Sequence, residues 1–291
     1  MDYSSDLKML YLKNNELELE IIDPAIDQKL LGSRYCTGGY IFQVKDKNLG
    51  NLLCGPQYPD PKFDVFHGQG APEVFSIALN QELVEIGEDV LVLGVGKVTR
   101  TSYIIPFHVR DNQLVKEFCK WDIEQTSDSL SFQTIHTFNN WQLLIKRKVT
   151  LIERTITSQT FISNLGKDTI PIRWFAHPFF PIPKDFIVCR FSMPLKLFEN
   201  DGFFINNQGF FEMAHEYNWK KGLFQKIECK PEHEFSAIQC HALVDKISVT
   251  CDYFPASLAI WANDKTFSFE PFYETQVEVN GERTWSIGYC V

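Results

Sequence analysis

The stretch Ile170-Pro171-Ile172-Arg173-Trp174-Phe175-Ala176-His177-Pro178-Phe179-Phe180 decides how this chain is read. Successive side chains of a strand point to opposite faces. Ile170, Ile172, Trp174 and Ala176 therefore share an apolar side fit for a core, while Arg173, Phe175 and His177 share the other. That second side groups a cation, a ring and a titratable imidazole, as a polar ligand pocket does. A later stretch, Thr266-Phe267-Ser268-Phe269-Glu270-Pro271, repeats the device. Phe267 and Phe269 face one way, and Thr266, Ser268 and Glu270 the other. Two strands far apart in sequence thus each end in a potential proton carrier followed by proline.

Working outward, the strand period dominates the chain. Asn15 to Ile21 alternates strictly between glutamates and aliphatic residues, the pattern of a half-exposed antiparallel strand. Strand signals continue at Tyr40 to Val44, Val90 to Leu93, Leu114 to Trp121 and Leu130 to Ile135. Asn139-Asn140 turns the chain into a long strand over Trp141 to Ile152, and Asn164 to Asp168 turns it again toward His177. Asp201-Gly202 and Asn207-Gln208-Gly209 bracket the short run Phe203 to Ile205, as in a meander. Val249 to Tyr253, Leu258 to Trp261 and Thr284 to Tyr289 are the last strands expected. Helical periodicity is confined to Gln28 to Leu31 and Pro72 to Leu79, each expected to make a turn or two. No internal repeat interrupts this pattern. The expectation is an all-β fold: one large, mostly antiparallel domain of packed sheets.

Hydrophobic residues make up 44% of the 291, and 25 of the residues are Phe, enough to fill a large core and to argue against disorder. The formal net charge is -9. Lys146-Arg147-Lys148 is the densest basic cluster, but alternation sends Arg147 to the opposite face from the two lysines, so nucleic acid is not an expected partner. No apolar run reaches the length of a membrane span, and the first residues lack the apolar stretch of a secretion signal. A cytoplasmic protein without a membrane partner is expected. The eight cysteines are scattered, with neither a CxxC pair nor a cysteine–histidine spacing of the zinc type, and read as small buried thiols. Gly94-Val95-Gly96-Lys97 lacks the spacing of a phosphate loop and reads as a strand turn. No Gly-x-Ser-x-Gly elbow points to an esterase, and no HExxH motif calls for a metal.

Several elements together resemble the galactose mutarotase (aldose 1-epimerase) superfamily. They are Gly38-Gly39-Tyr40 leading into a strand, Asn51-Leu52-Leu53-Cys54-Gly55-Pro56, the glycine-rich His67-Gly68-Gln69-Gly70, His177-Pro178-Phe179-Phe180, and Glu270-Pro271. The resemblance implies a single β-supersandwich domain over residues 1–291, no cofactor and no metal. Its substrate would be a small sugar or sugar phosphate, and its state monomeric or homodimeric. It also implies that His177 protonates the ring oxygen of the sugar while Glu270 takes the proton of the anomeric hydroxyl. The two groups would approach from opposite edges of one bound ring. The chemistry suits the residue types, since opening a hemiacetal needs one proton donor and one acceptor.

His67 matches the family's histidine–glycine element and becomes a candidate for binding the sugar. Arg34, Arg100 and Arg173 are candidate donors to its hydroxyls. Trp174 and Phe179 are candidate platforms for its apolar face, with Phe180, Trp219 and Trp261 also available. The sequence does not place the aspartate by which many mutarotases hold sugar hydroxyls. The segment Tyr217 to Gly222 offers lysines instead, which leaves room for a phosphorylated or otherwise modified sugar. A sugar-binding or regulatory protein without turnover is the alternative, because one fold hosts many functions.

Overall fold

The structure is a computed structural model that describes residues 8–57, 64–230 and 235–291. Among these residues the strands form four sheets. The Ile170–Ala176 strand lies in a seven-stranded antiparallel sheet between Thr266–Val277 and the short Glu73–Phe75, with Ser257–Ala262, Leu223–Cys229 and Leu195–Leu197 beyond. The other large sheet has ten strands, and Glu282–Cys290 lies inside it between Thr155–Asn164 and Asp245–Cys251. Two four-stranded sheets complete the fold. One contains Met9–Lys13, Leu17–Ile22 and Ile41–Asp46, and the other contains Asp89–Val92 and Gly96–Thr99.

The two large sheets meet through a core that the alternation anticipates. Ile170, Ile172, Trp174 and Ala176 are all buried, and so are Ile145, Ile162, Trp285 and Ile287 of the ten-stranded sheet. Their contact is aromatic at its centre, with the rings of Trp174 and Trp285 edge to face at 5.8 Å. Leu17, Leu19 and Ile21 are likewise buried while Glu18 and Glu20 stay partly exposed. The Trp141–Ile152 strand has the expected bounds, and Arg147 is 1% exposed between two exposed lysines. Gly94 and Gly96 take positive φ at the turn between two strands, with no phosphate loop.

Three expectations need correction. Pro72 to Leu79 is not helical; it forms the strands Glu73–Phe75 and Ala78–Leu79. The reason is tertiary. Glu73 pairs with Ala176 along the ladder, and its carboxylate crosses to the other sheet to meet the Arg147 guanidinium. The strand expected over Leu114 to Trp121 is shorter, Val115–Phe118, and the next strand, Asp122–Gln125, begins beyond it in a different sheet. All eight cysteines are free, but only Cys36, Cys54, Cys119 and Cys189 are buried, and Cys290 is exposed. The Gln28–Leu31 helix is present.

Candidate functional site

Strand register brings the two proton carriers together. Ile170 to Phe175 pair with Val277 to Phe272, and Phe180 and Pro181 pair with Phe267 and Thr266. Continuing the first series by two residues sets His177 opposite Glu270, and the second series lies on the same register. Pro178 has no N–H to give, so the ladder is interrupted there without slipping. The flanking N–H groups of His177 and Phe179 donate instead to the carbonyls of Pro72 and Gly70 on the other side. One face of the strand pair therefore carries Arg173 with Glu274 at 2.9 Å, Phe175 with Phe272 at a ring distance of 4.5 Å, and His177 with Glu270.

His177 Nε2 stands 3.4 Å from Glu270 Oε1, and both residues are almost wholly buried. The other ring nitrogen, Nδ1, is 2.6 Å from the Ser268 hydroxyl, so the imidazole is gripped at both ends. Phe179 stacks on it at 4.4 Å, and Trp261 meets it edge-on at 6.3 Å. This apolar box disfavours charge. Burial holds the His177 imidazole well below its ordinary range, and the nearby Arg34 cation pushes the same way. Burial raises the Glu270 carboxyl to about 7, against the opposing pull of Arg34 and Arg173. Near neutrality the imidazole is therefore uncharged, and the pair's one proton sits on Glu270, which gives it up at about pH 7.

Both open onto a cavity of about 510 Å³, within the usual range of small-ligand sites. Val74, Phe175, Phe179, Phe224 and Trp261 give it apolar walls, and Arg34, His67, His108, Arg110 and Lys221 give it polar ones. His67 ends the short 3-10 turn Val65–His67, in which the Phe66 N–H donates to the Asp64 carboxylate at 2.9 Å. Arg34 is fastened to the same turn, one guanidinium nitrogen donating to the carbonyls of Phe66 at 3.0 Å and His67 at 3.1 Å. Gly68 follows at φ 108°, and a Cβ there would lie 2.4 Å from the Phe179 ring. Only glycine lets this turn pack against the ring that backs His177.

Of the residues singled out from the sequence, His177, Glu270, His67, Arg34 and Phe179 line this one cavity. Trp174, Arg173 and Arg100 do not. Trp174 faces the core, fully buried, and its indole N–H donates to the Glu73 carboxylate at 3.1 Å. Arg173 shares the His177 face but sits four residues away, about 13 Å along a strand, where Glu274 and the Phe272 ring engage it. Arg100 is consumed by a loop, donating to the carbonyls of Val84 and Ser102. The approach from opposite edges is also corrected, because neighbouring strands place the pair side by side on one wall. Phe180 and Trp219 are buried away from the cavity, whereas Trp261 lines it.

Sequence reasoning passed over Ser268, His108, Arg110, Phe224 and Asn263. Ser268 had a signal, since it shares a strand face with Glu270 two residues on. Lys221 lies in the very segment noted for its lysines. His108 and Arg110 sit on a loop outside the strand period, where spacing carries no information.

Comparison with solved structures decides the fold. A galactose mutarotase-like protein from Clostridium acetobutylicum superposes with a TM-score of 0.58 at 14% identity, over 98% of this chain and 95% of that one. The fold is that of the galactose mutarotase-like proteins. A second such protein, from Lactobacillus casei, gives a TM-score of 0.57 at 14% identity over 97% of this chain and 99% of its own. An aldose epimerase homologue from C. elegans gives 0.51 at 11% identity over 97% and 98%. No protein-family model matches the sequence, and comparison with curated proteins finds no match either. The kinship with galactose mutarotase-like proteins is thus one of backbone architecture, and what this cavity does is argued from its own side chains.

Proposed function

We propose that this protein is an aldose 1-epimerase-type isomerase, interconverting the α and β anomers of a sugar or sugar derivative. The observation that carries this reading is the 3.4 Å juxtaposition of a buried imidazole and a buried carboxyl on one wall of a ring-sized cavity. The two oxygens that exchange protons in anomerisation, the anomeric hydroxyl and the ring oxygen, are bonded to the same carbon. Two adjacent groups, one donor and one acceptor, therefore serve both without the sugar moving.

In the forward direction the proton that burial leaves on Glu270 first crosses the 3.4 Å to His177 Nε2, and Glu270, now the carboxylate, takes the proton of the C1 hydroxyl. The C1–O5 bond breaks as His177 gives a proton to O5, and the open aldehyde forms. Rotation about C1–C2 presents the other face, and reclosure returns both protons with the roles exchanged. One proton on the pair is what this cycle requires. Ser268 at Nδ1 keeps Nε2 directed at the sugar, and Phe179 and Trp261 offer aromatic surface to its apolar faces.

Magnetisation-exchange NMR on a panel of aldoses and aldose phosphates tests the reading. The native protein should speed exchange between anomers, and Glu270→Gln or His177→Asn should each lower kcat by about 10²–10⁴-fold while the fold is kept. Anomer exchange no faster with the protein than in buffer, for every sugar tried, would leave a binding protein on the same fold.

A further inference from the structure

The charges around the cavity do not match those of the chain. Carboxylates outnumber cations overall, giving the net charge of -9, yet among the described residues three cations and only one carboxyl line this cavity. That carboxyl is Glu270, which burial keeps partly protonated near neutrality. Elsewhere cations find partners. Arg154 bridges Asp46 and Glu16, Arg173 holds Glu274, and Lys116 holds Asp89. Arg34, Arg110 and Lys221 make no ion pair among the described residues, and the side chains of Arg110 and Lys221 are without a hydrogen-bond partner there. His108, in the same lining, is held below its ordinary range by burial and, further, by Arg34, Arg110 and Arg173, with Asp111 as the one opposing charge. A recess with low-dielectric walls concentrates such a field.

The cations also differ in depth. Arg34 is partly buried and acts on both His177 and Glu270, whereas Arg110 and Lys221 are exposed at the mouth. We propose that the cavity takes an aldose bearing a fixed anion, a phosphate or a carboxylate, with its anomeric carbon at the floor and the anion toward Arg110 and Lys221 at the mouth. The orientation rests on the anomerase reading, which sets C1 against His177 and Glu270. The field of the cations does not. Charge-assisted bonds to an anion supply what a carboxylate accepting from sugar hydroxyls supplies elsewhere.

The test measures anomer exchange and calorimetric binding for glucose, glucose 6-phosphate and glucuronate, with the native protein and with the double variant Arg110→Gln/Lys221→Gln. Native protein should favour one of the anionic sugars over glucose by about 30-fold or more in kcat/KM, and added salt should erode that preference. In the double variant the preference should fall to within about threefold, through KM. The better of phosphate and carboxylate names the anion. Equal kcat/KM for glucose and both anionic sugars, unchanged in the double variant, would overturn the proposal and leave the anomerase reading standing. Salt-sensitive binding of an anionic sugar that the double variant loses, with no exchange accelerated, would uphold the anion site and remove the anomerase. Absence of binding and of exchange for both anionic sugars would overturn the proposal.

Discussion

Glu270 sits in surroundings that oppose its charge, and that single fact has two measurable results. Its folded pKa of about 7 exceeds the ordinary carboxyl value of 4.5. A group whose pKa rises on folding stabilises the fold relatively at low pH, and this contribution is lost as pH climbs through the folded value. Above pH 7 the native protein therefore carries a buried carboxylate at a cost of at most about 3 kcal/mol. Glu270→Gln removes that cost, so urea denaturation at pH 8 should find the variant more stable than the native protein, with the difference closing near pH 5. The same titration governs turnover. Above pH 7 the pair loses its one proton, no acid remains for the ring oxygen, and kcat/KM for anomer exchange should fall with rising pH. A flat profile between pH 6 and 9 would contradict the one-proton pair.

Elements explain why the site was half legible in the sequence. The alternation over Ile170 to Ala176 and Thr266 to Glu270 gave the faces, and therefore gave His177 and Glu270 a common side. Register, which set them 3.4 Å apart, depends on pairing between strands nearly a hundred residues apart, and no local pattern states it. Glu73 was misread for the same reason. Its short strand has little periodicity of its own and is held by a buried network, in which its carboxylate accepts from the Ser158 hydroxyl at 2.6 Å, the Trp174 indole and the Arg147 guanidinium. Breaking a buried pair on one side leaves the other charge unmatched, a loss of about 3–5 kcal/mol. Glu73→Gln should lower stability by that order in denaturant titration. Replacing both partners, Glu73→Leu with Arg147→Met, should recover more than half of the loss. If the single variant denatures with the native midpoint, the network is not what fastens this strand to the His177 strand.

At the scale of the molecule, the chain order and the sheet order disagree in a way that fixes which end matters. The all-β architecture was readable from the strand period, but the position of each strand was not, because sheet order follows contacts far apart in sequence. Glu282–Cys290 is late in the chain yet interior in the ten-stranded sheet, hydrogen-bonded on both sides. It buries Trp285, Ile287 and Tyr289 in the core shared by the two large sheets. Each such side chain contributes about 1.5–3 kcal/mol, and a whole domain is stable by only about 5–15. We propose on this ground that the large sheets fold as one cooperative unit. A chain ending at residue 281 should lose the cooperative transition altogether, with its near-ultraviolet circular dichroism collapsed. Met9–Lys13, by contrast, is the edge of its four-stranded sheet and buries only Leu12 below a tenth of its surface. A chain beginning at residue 14 should still unfold in one transition, at a lower temperature. A cooperative transition in the chain ending at 281 would mean that the seven-stranded sheet, with His177 and Glu270 on it, stands without its partner, and the one-unit proposal would fall.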